Sequence, residues 1–243
     1  MRQNTSIMVG LSRKQREIQD REAQILEVAR GHLLDGGYLG LSMDRIAAQM
    51  EYSKGTIYQH FRNKEEILIA LANEALHLRT TMFERASLFP GTSRERVAAI
   101  GAAAEAFVET APHYFMVEQI VRASSIWEKT SAERQEVMRM CERRCMAIVG
   151  GIARDAVAHG DLSLPEGVRP EEVVFGMWSI YLGAQTISSS SDTLGEIGIH
   201  SPLTALRRGQ NKMLDGYGWR PLSGEADYDA HMDRVKQELF SDA

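Results

Sequence analysis

Residues 46–61, IAAQMEYSKGTIYQHF, constrain this chain more than any other stretch. Apolar residues recur at helical spacing on both sides of a tight turn, and Ser53 stands where a serine cap would start a second helix. Two short helices joined in this way read as a helix-turn-helix. Ile46, Ala47 and Met50 are expected to face inward from the first helix, and Ile57 and Phe61 from the second. Lys54, Gly55, Thr56, Tyr58 and His60 are then left around the exposed side and leading end of the second helix.

That surface has the chemistry of a duplex-DNA interface. Free N–H groups at a helix start attract phosphate, and Gly55 removes the side chain that would hold the backbone away. Thr56 offers a hydroxyl and a methyl, the latter suited to thymine. Tyr58 and His60 can donate to phosphate oxygens, and Lys64 places a cation at the start of the next helix. Ser42 and Arg45, at the start of the preceding helix, and the Ser53 cap complete the set of candidate contacts. Most of these would fix register, and only a few would read bases.

Around the motif the sequence reads as all-α. Met1–Leu11 is expected to be a loose arm. A first helix should run from Ser12 to Asp35 and stop at Gly36-Gly37, since glycine tolerates the left-handed conformation past a helix end. Ser42 should cap Met43–Met50, and Ser53 should cap Lys54–Phe61. Further helices are expected over Lys64–Phe83, Ser93–Ala111, His113–Trp127, Ala132–His159, Pro170–Ser188, Pro202–Leu214 and Ala226–Phe240, with Pro170 and Pro202 in first turns. The division expected is a three-helix DNA-binding domain over residues 12–63 and a helical body over 64–243.

Charge follows the same division. The 243 residues carry a formal net charge of −5, yet through Glu65 there are ten Lys/Arg against eight Asp/Glu. A mildly basic head on an acidic body argues against bulk coating of nucleic acid and for a small DNA-binding module with a partner domain. Two cysteines cannot build a disulfide framework, and neither an apolar leader nor a spanning segment is evident, so a cytoplasmic location is expected.

The stretch Leu41–Leu68, LSMDRIAAQMEYSKGTIYQHFRNKEEIL, resembles the TetR family of transcriptional regulators. The matching positions are Ile46-Ala47, Ser53, Gly55-Thr56, Tyr58, His60-Phe61, Lys64 and Ile67-Leu68. With the helix before it, the close resemblance covers about a fifth of the chain. Glu51 stands where that family usually has glycine in the turn, and Tyr52 where a small aliphatic is usual. A non-glycine residue at positive φ costs roughly 1 kcal/mol.

The resemblance implies a homodimeric regulator, most simply a repressor, whose body binds a largely apolar small molecule and whose paired heads bind a palindromic operator. Candidate ligand contacts are Phe115, Met116, Trp127, Met146, Phe175, Met177, Trp178, Tyr181 and Gln185, although Met and aromatic residues at helical spacing also serve as plain core. Candidate dimer contacts are Gly176, Gly183, Leu203, Leu206, Gln210 and Met213, with packing inside one subunit as the alternative. Cys141 and Cys145 share an apolar stripe and read as structural. No metal-ligand spacing, phosphate loop or nucleophile elbow is visible, so no cofactor, no metal and no enzymatic activity are expected. The rival readings are an activator of the same fold and a helical carrier or enzyme with a vestigial head.

Overall fold

The computed structural model describes residues 12–121 and 124–241. The arm expected over Met1–Leu11 lies outside the described residues. Among those described there are helices and turns but no strand. The helices are α1 (Arg13–Gly40), α2 (Met43–Gln49), α3 (Lys54–His60), α4 (Lys64–Ser87), α5 (Ser93–Thr110), α6 (Pro112–Val121), α7 (Ser124–Trp127), α8 (Ala132–His159), α9 (Pro170–Ser190), α10 (Pro202–Gly216) and α11 (Tyr228–Phe240).

Most expected helix ends shift by four residues or fewer, and two expectations differ in kind. Helical structure resumes after the double glycine and runs to Gly40, but Gly37 itself sits at φ 58° and ψ −159°, a break inside α1. The glycine thus kinks the chain as its freedom allows, without ending the helix. The single helix expected over His113–Trp127 is described as α6 and α7, with residues 122 and 123 outside the described set.

The chain divides into two compact units, and the division does not fall between residues 63 and 64. One unit comprises Met1–Leu76 with Ala111–Met140, the other His77–Thr110 with Cys141–Ala243. The reason is visible inside the first unit, where α6 and the start of α8 bond to α1 and α4. Arg30 pairs with Glu74 at 2.9 Å and donates to the Tyr114 hydroxyl. Asn73 Nδ2 donates to Arg134 O. Ile67–Ala72, Ala75 and Leu76 of α4 are all buried, as expected of a helix apolar all round at the centre of its unit.

In the second unit α11 lies along α5. A Cβ on Gly101 would come within 3.1 Å of Met232 Cε, so the glycine allows the close approach. Arg207 of α10 makes a two-pronged ion pair with buried Glu105 of α5 and reaches Asp233 of α11. Trp219 is fully buried and its indole N–H donates to Ser93 Oγ at 3.0 Å. Cys145 is buried with its sulfur 3.0 Å from Thr80 Oγ1, and burial pushes the half-buried Cys141 thiol up.

Helices α9 and α10, which carry the residues expected at a dimer interface, pack on each other within one chain. A Cβ on Gly176 would meet Met213 Sδ at 3.0 Å, Gln210 Nε2 donates to Met177 O, and Leu206 is buried. Gly176, Leu206, Gln210 and Met213 therefore serve intramolecular packing. Of the six, only Leu206 is buried, and Gly176, Gly183, Leu203, Gln210 and Met213 are all partly open.

The nine ligand candidates are shared between the two units. Phe115, Met116 and Trp127 belong to the first unit, and Met146, Phe175, Met177, Trp178, Tyr181 and Gln185 to the second. Phe115 and Met177 are buried, Phe175 is exposed and edge-on to Trp178, and the Tyr181 hydroxyl donates to Ala104 O. An open cavity of about 400 Å³ in the second unit is lined by Asn211 and residues 223–229, none of them among the nine.

Candidate nucleic-acid interface

The first unit builds its helix-turn-helix as the apolar pattern requires. Ile25, Leu26, Ala29 and Leu33 of α1 are buried together with Leu41, Met43, Ile46 and Ala47, and with Ile57 and Phe61. Met50, expected inside, is only half-buried. His32, also buried, holds Gln49 Oε1 at 2.8 Å through Nε2 and ties α1 to the end of α2.

The turn is a Schellman motif with glutamate at its left-handed position. Glu51 has φ 56°, its N–H donates to Ala48 O, and the Tyr52 N–H reaches back to Ala47 O at 2.9 Å. The atypical Glu51 therefore adopts the conformation that glycine would favour. Tyr52, the second departure, lies under the Arg21 guanidinium of α1 at 5.7 Å from ring centroid to Cζ.

Ser53 caps α3 as expected, accepting from Thr56 N at 3.1 Å and sharing a hydrogen bond with Thr56 Oγ1 at 2.9 Å. Ser42 occupies the cap position of α2, yet its side chain makes no capping bond. Only its carbonyl takes part, accepting from Ile46 N. Arg45 is exposed and donates to Gly40 O, which satisfies a carbonyl at the end of α1. Lys54 is exposed and paired with Asp44 across the two helices.

The recognition face of α3 consists of exposed Lys54, Gly55, Tyr58 and Gln59, with Thr56 half-buried. Periodicity and capping do not single out Gln59, although a glutamine on this face suits adenine. A Cβ on Gly55 would meet only Ser53 Oγ, at an ordinary 3.7 Å. Internal packing therefore does not demand this glycine.

His60 does not join that face. Its side chain is 7% exposed, and Nδ1 lies 3.7 Å from Glu22 of α1 without a hydrogen-bond partner. Phe61 and His60 close against a polar cluster supplied by later sequence. Arg134 of α8 stacks over the Phe61 ring, pairs with Glu66 at 2.9 Å and approaches Glu22 at 3.9 Å. Glu66 also accepts from Ser131 N and Oγ.

Lys64, the expected phosphate anchor, lies 3.9 Å from the centroid of the Tyr38 ring. The Tyr38 hydroxyl donates to Glu65, which Lys129 also approaches at 3.3 Å. Burial raises the Glu65 pKa, but bonds from its own backbone N–H, Tyr38 and Lys129 outweigh that and hold it below the usual carboxylate range. No short-range pattern announces the Arg134 and Lys129 contacts, because those partners lie more than sixty positions further along the chain.

Residues 25–71 match the model of the family described as bacterial regulatory proteins, tetR family. The chain is 38% identical over 58 residues to the HTH-type transcriptional repressor AcnR of Corynebacterium diphtheriae, over 24% of this chain and 30% of that protein. It is 32% identical over 77 residues to the fatty acid metabolism regulator protein of Bacillus subtilis, over 32% of this chain and 40% of that protein. The match thus spans less than half the length of either curated relative. A solved transcriptional regulator of the TetR/AcrR family from Thermobifida fusca YX-ER1 superposes with a TM-score of 0.61 at 25% identity, covering 82% of this chain and 98% of its own. Motif and family model agree over the same residues, so that residues 25–71 carry the DNA-binding region of the bacterial regulatory proteins of the tetR family, on a fold that the solved TetR/AcrR regulator shares.

Proposed function

We propose that this chain is a ligand-responsive transcriptional repressor, binding a palindromic operator as a homodimer and releasing it when a small, largely apolar molecule binds the body. The observation that carries the DNA-binding half is Gly55. It sits exposed in the first turn of a capped helix, between Lys54 and Tyr58, where internal packing has room for a side chain. A docking phosphate backbone has no such room. Ser53, Thr56, Gln59, Arg45, Ser42 and Lys64 surround it as positioning contacts, while His60 acts through the polar cluster behind the helix.

In a two-fold dimer the two α3 helices would enter major grooves one turn apart, about 34–36 Å. The AcnR name favours repression as the sign of regulation. The name of the Bacillus subtilis relative makes fatty acids the first effector probes. The dimer would use what the α9–α10 contact leaves open, namely the partly exposed Gly176, Gly183, Leu203, Gln210 and Met213 and the exposed Phe175 and Ile187. An effector can act only through unequal affinity for the DNA-competent state and its alternative. Protection mapping on DNA upstream of the gene tests the reading. A protected palindrome that a probe releases supports it, and the absence of any protected site at moderate salt contradicts it.

A further inference from the structure

Helix α1 begins well before the core that it packs on. Residues 12–21 are all exposed, and the first buried residue of the helix is Ile25. The nine residues Arg13–Arg21 span about 13 Å at 1.5 Å per residue. A capping box closes the start, with Ser12 Oγ accepting from Gln15 N and Gln15 Oε1 accepting from Ser12 N. Such a cap stabilises a helix end that receives no help from tertiary packing.

One line along this overshoot carries cations and no carboxylate. At 100° per residue, Lys14, Ile18 and Arg21 continue the line of Ile25 and His32, the side of α1 turned toward α2 and α3. Glu17, Asp20, Arg13 and Arg16 fall off that line, Arg16 on the opposite side of the helix, and Arg13 pairs with Glu17 at 2.9 Å. Lys14 and Arg16 make no ion pair among the described residues. The four cations of Arg13–Arg21 exceed its two carboxylates.

The position of the overshoot is fixed at its base. Arg21 lies over Tyr52, the residue that leads into the α3 cap, and Glu22 faces His60 at the other end of α3. The basic line Arg21–Ile18–Lys14 therefore continues from the edge of the recognition helix.

We infer that the first turns of α1 are a second DNA-contacting element, gripping the phosphate backbone of the duplex beside the bases that α3 reads. The inference rests on the DNA-binding reading above and extends its footprint. Charge complementarity and continuity with the α3 face select duplex DNA as the occupant. The contact is to phosphate, since lysine and arginine on an exposed helix offer charge and reach without fixed base geometry.

The test uses the full chain and an operator recovered by selection from random duplexes, in a trimmed form and in a form extended by about one helical turn at each end. Wild-type protein should bind the extended duplex about tenfold or more tightly than the trimmed one, and scrambling the added sequence should leave the gain intact. K14A, which removes no buried group, should keep the wild-type melting temperature and trimmed-duplex affinity while forfeiting most of the gain. Its salt slope on the extended duplex should fall by about 0.9 for every phosphate that it no longer neutralises. Equal affinity of wild type for both duplexes overturns this inference alone, as does a variant that retains the gain. Weaker binding by the variant to both duplexes alike, with altered sedimentation, would instead make the overshoot a contact between copies of the chain and also overturns it. Failure of wild type to bind any selected duplex overturns the DNA-binding reading itself.

Discussion

At Gly55 a Cβ would meet nothing closer than Ser53 Oγ at 3.7 Å. Gly55→Ala should therefore leave folding stability unchanged or raise it by a few tenths of a kcal/mol, up to about 1, since alanine is the better helix former. The same change should weaken operator binding tenfold or more. Urea melts and fluorescence anisotropy on one protein batch separate the two effects, and a destabilised variant would show that the glycine serves the fold. Glu51 presents the converse case, a side chain held at φ 56°. Glu51→Gly should gain about 0.5–1 kcal/mol in urea, the net of relieved left-handed strain and added chain entropy. It should also tighten DNA binding by removing a carboxylate beside the α3 start. Both sites were legible in the sequence because their chemistry is local: a serine three residues before Thr56, and a turn position that wants glycine. The fate of His60 was not, because the Glu22 that it faces lies 38 positions away.

At the scale of elements, the first turn of α4 is where the helix-turn-helix meets later sequence. Glu66 is buried and bonded to Ser131 and Arg134. Arg134→Ala should cost about 1–3 kcal/mol, the range for losing a hydrogen bond to a charged group and leaving that group underserved. A double-mutant cycle with Glu66→Gln should show coupling, and additive losses would remove the pair from the account. Glu65 supplies a pH dependence. Its folded pKa lies below the unfolded value, so its stabilisation is complete above the ordinary carboxylate range and is lost as pH falls through the depressed value. The stability gap between wild type and Glu65→Gln should hold at neutral pH and narrow below about pH 4. A gap independent of pH would contradict it. Helix ends were mostly legible from caps and prolines, but the partner of each helix was not. An apolar stripe reports that a face is covered and is silent on what covers it, which is why Gly176, Leu206, Gln210 and Met213 read equally well as dimer contacts.

At the scale of the molecule, the two compact units cut across the simple division of head and body, because Ala111–Met140 packs with the DNA-binding helices. The α9–α10 contact makes a prediction about assembly. Leu203→Glu should shift sedimentation toward monomer with little loss of chain stability, whereas Leu206→Ala should cost about 2–5 kcal/mol as a buried leucine does. If Leu203→Glu remains dimeric, the dimer lies on another face. Architecture was legible here through periodicity alone, whereas the cavity at Asn211 and residues 223–229 was not, since it forms from a loop with no pattern.

The central claim is that α3 reads duplex DNA, and one titration tests it most directly. Wild-type protein is added to a labelled operator duplex and to a scrambled duplex of equal length, across 50–200 mM salt. The account predicts affinity for the operator at least about a thousandfold above the scrambled duplex, falling steeply with salt on both. Equal, weak binding to the two duplexes at every salt concentration would contradict it.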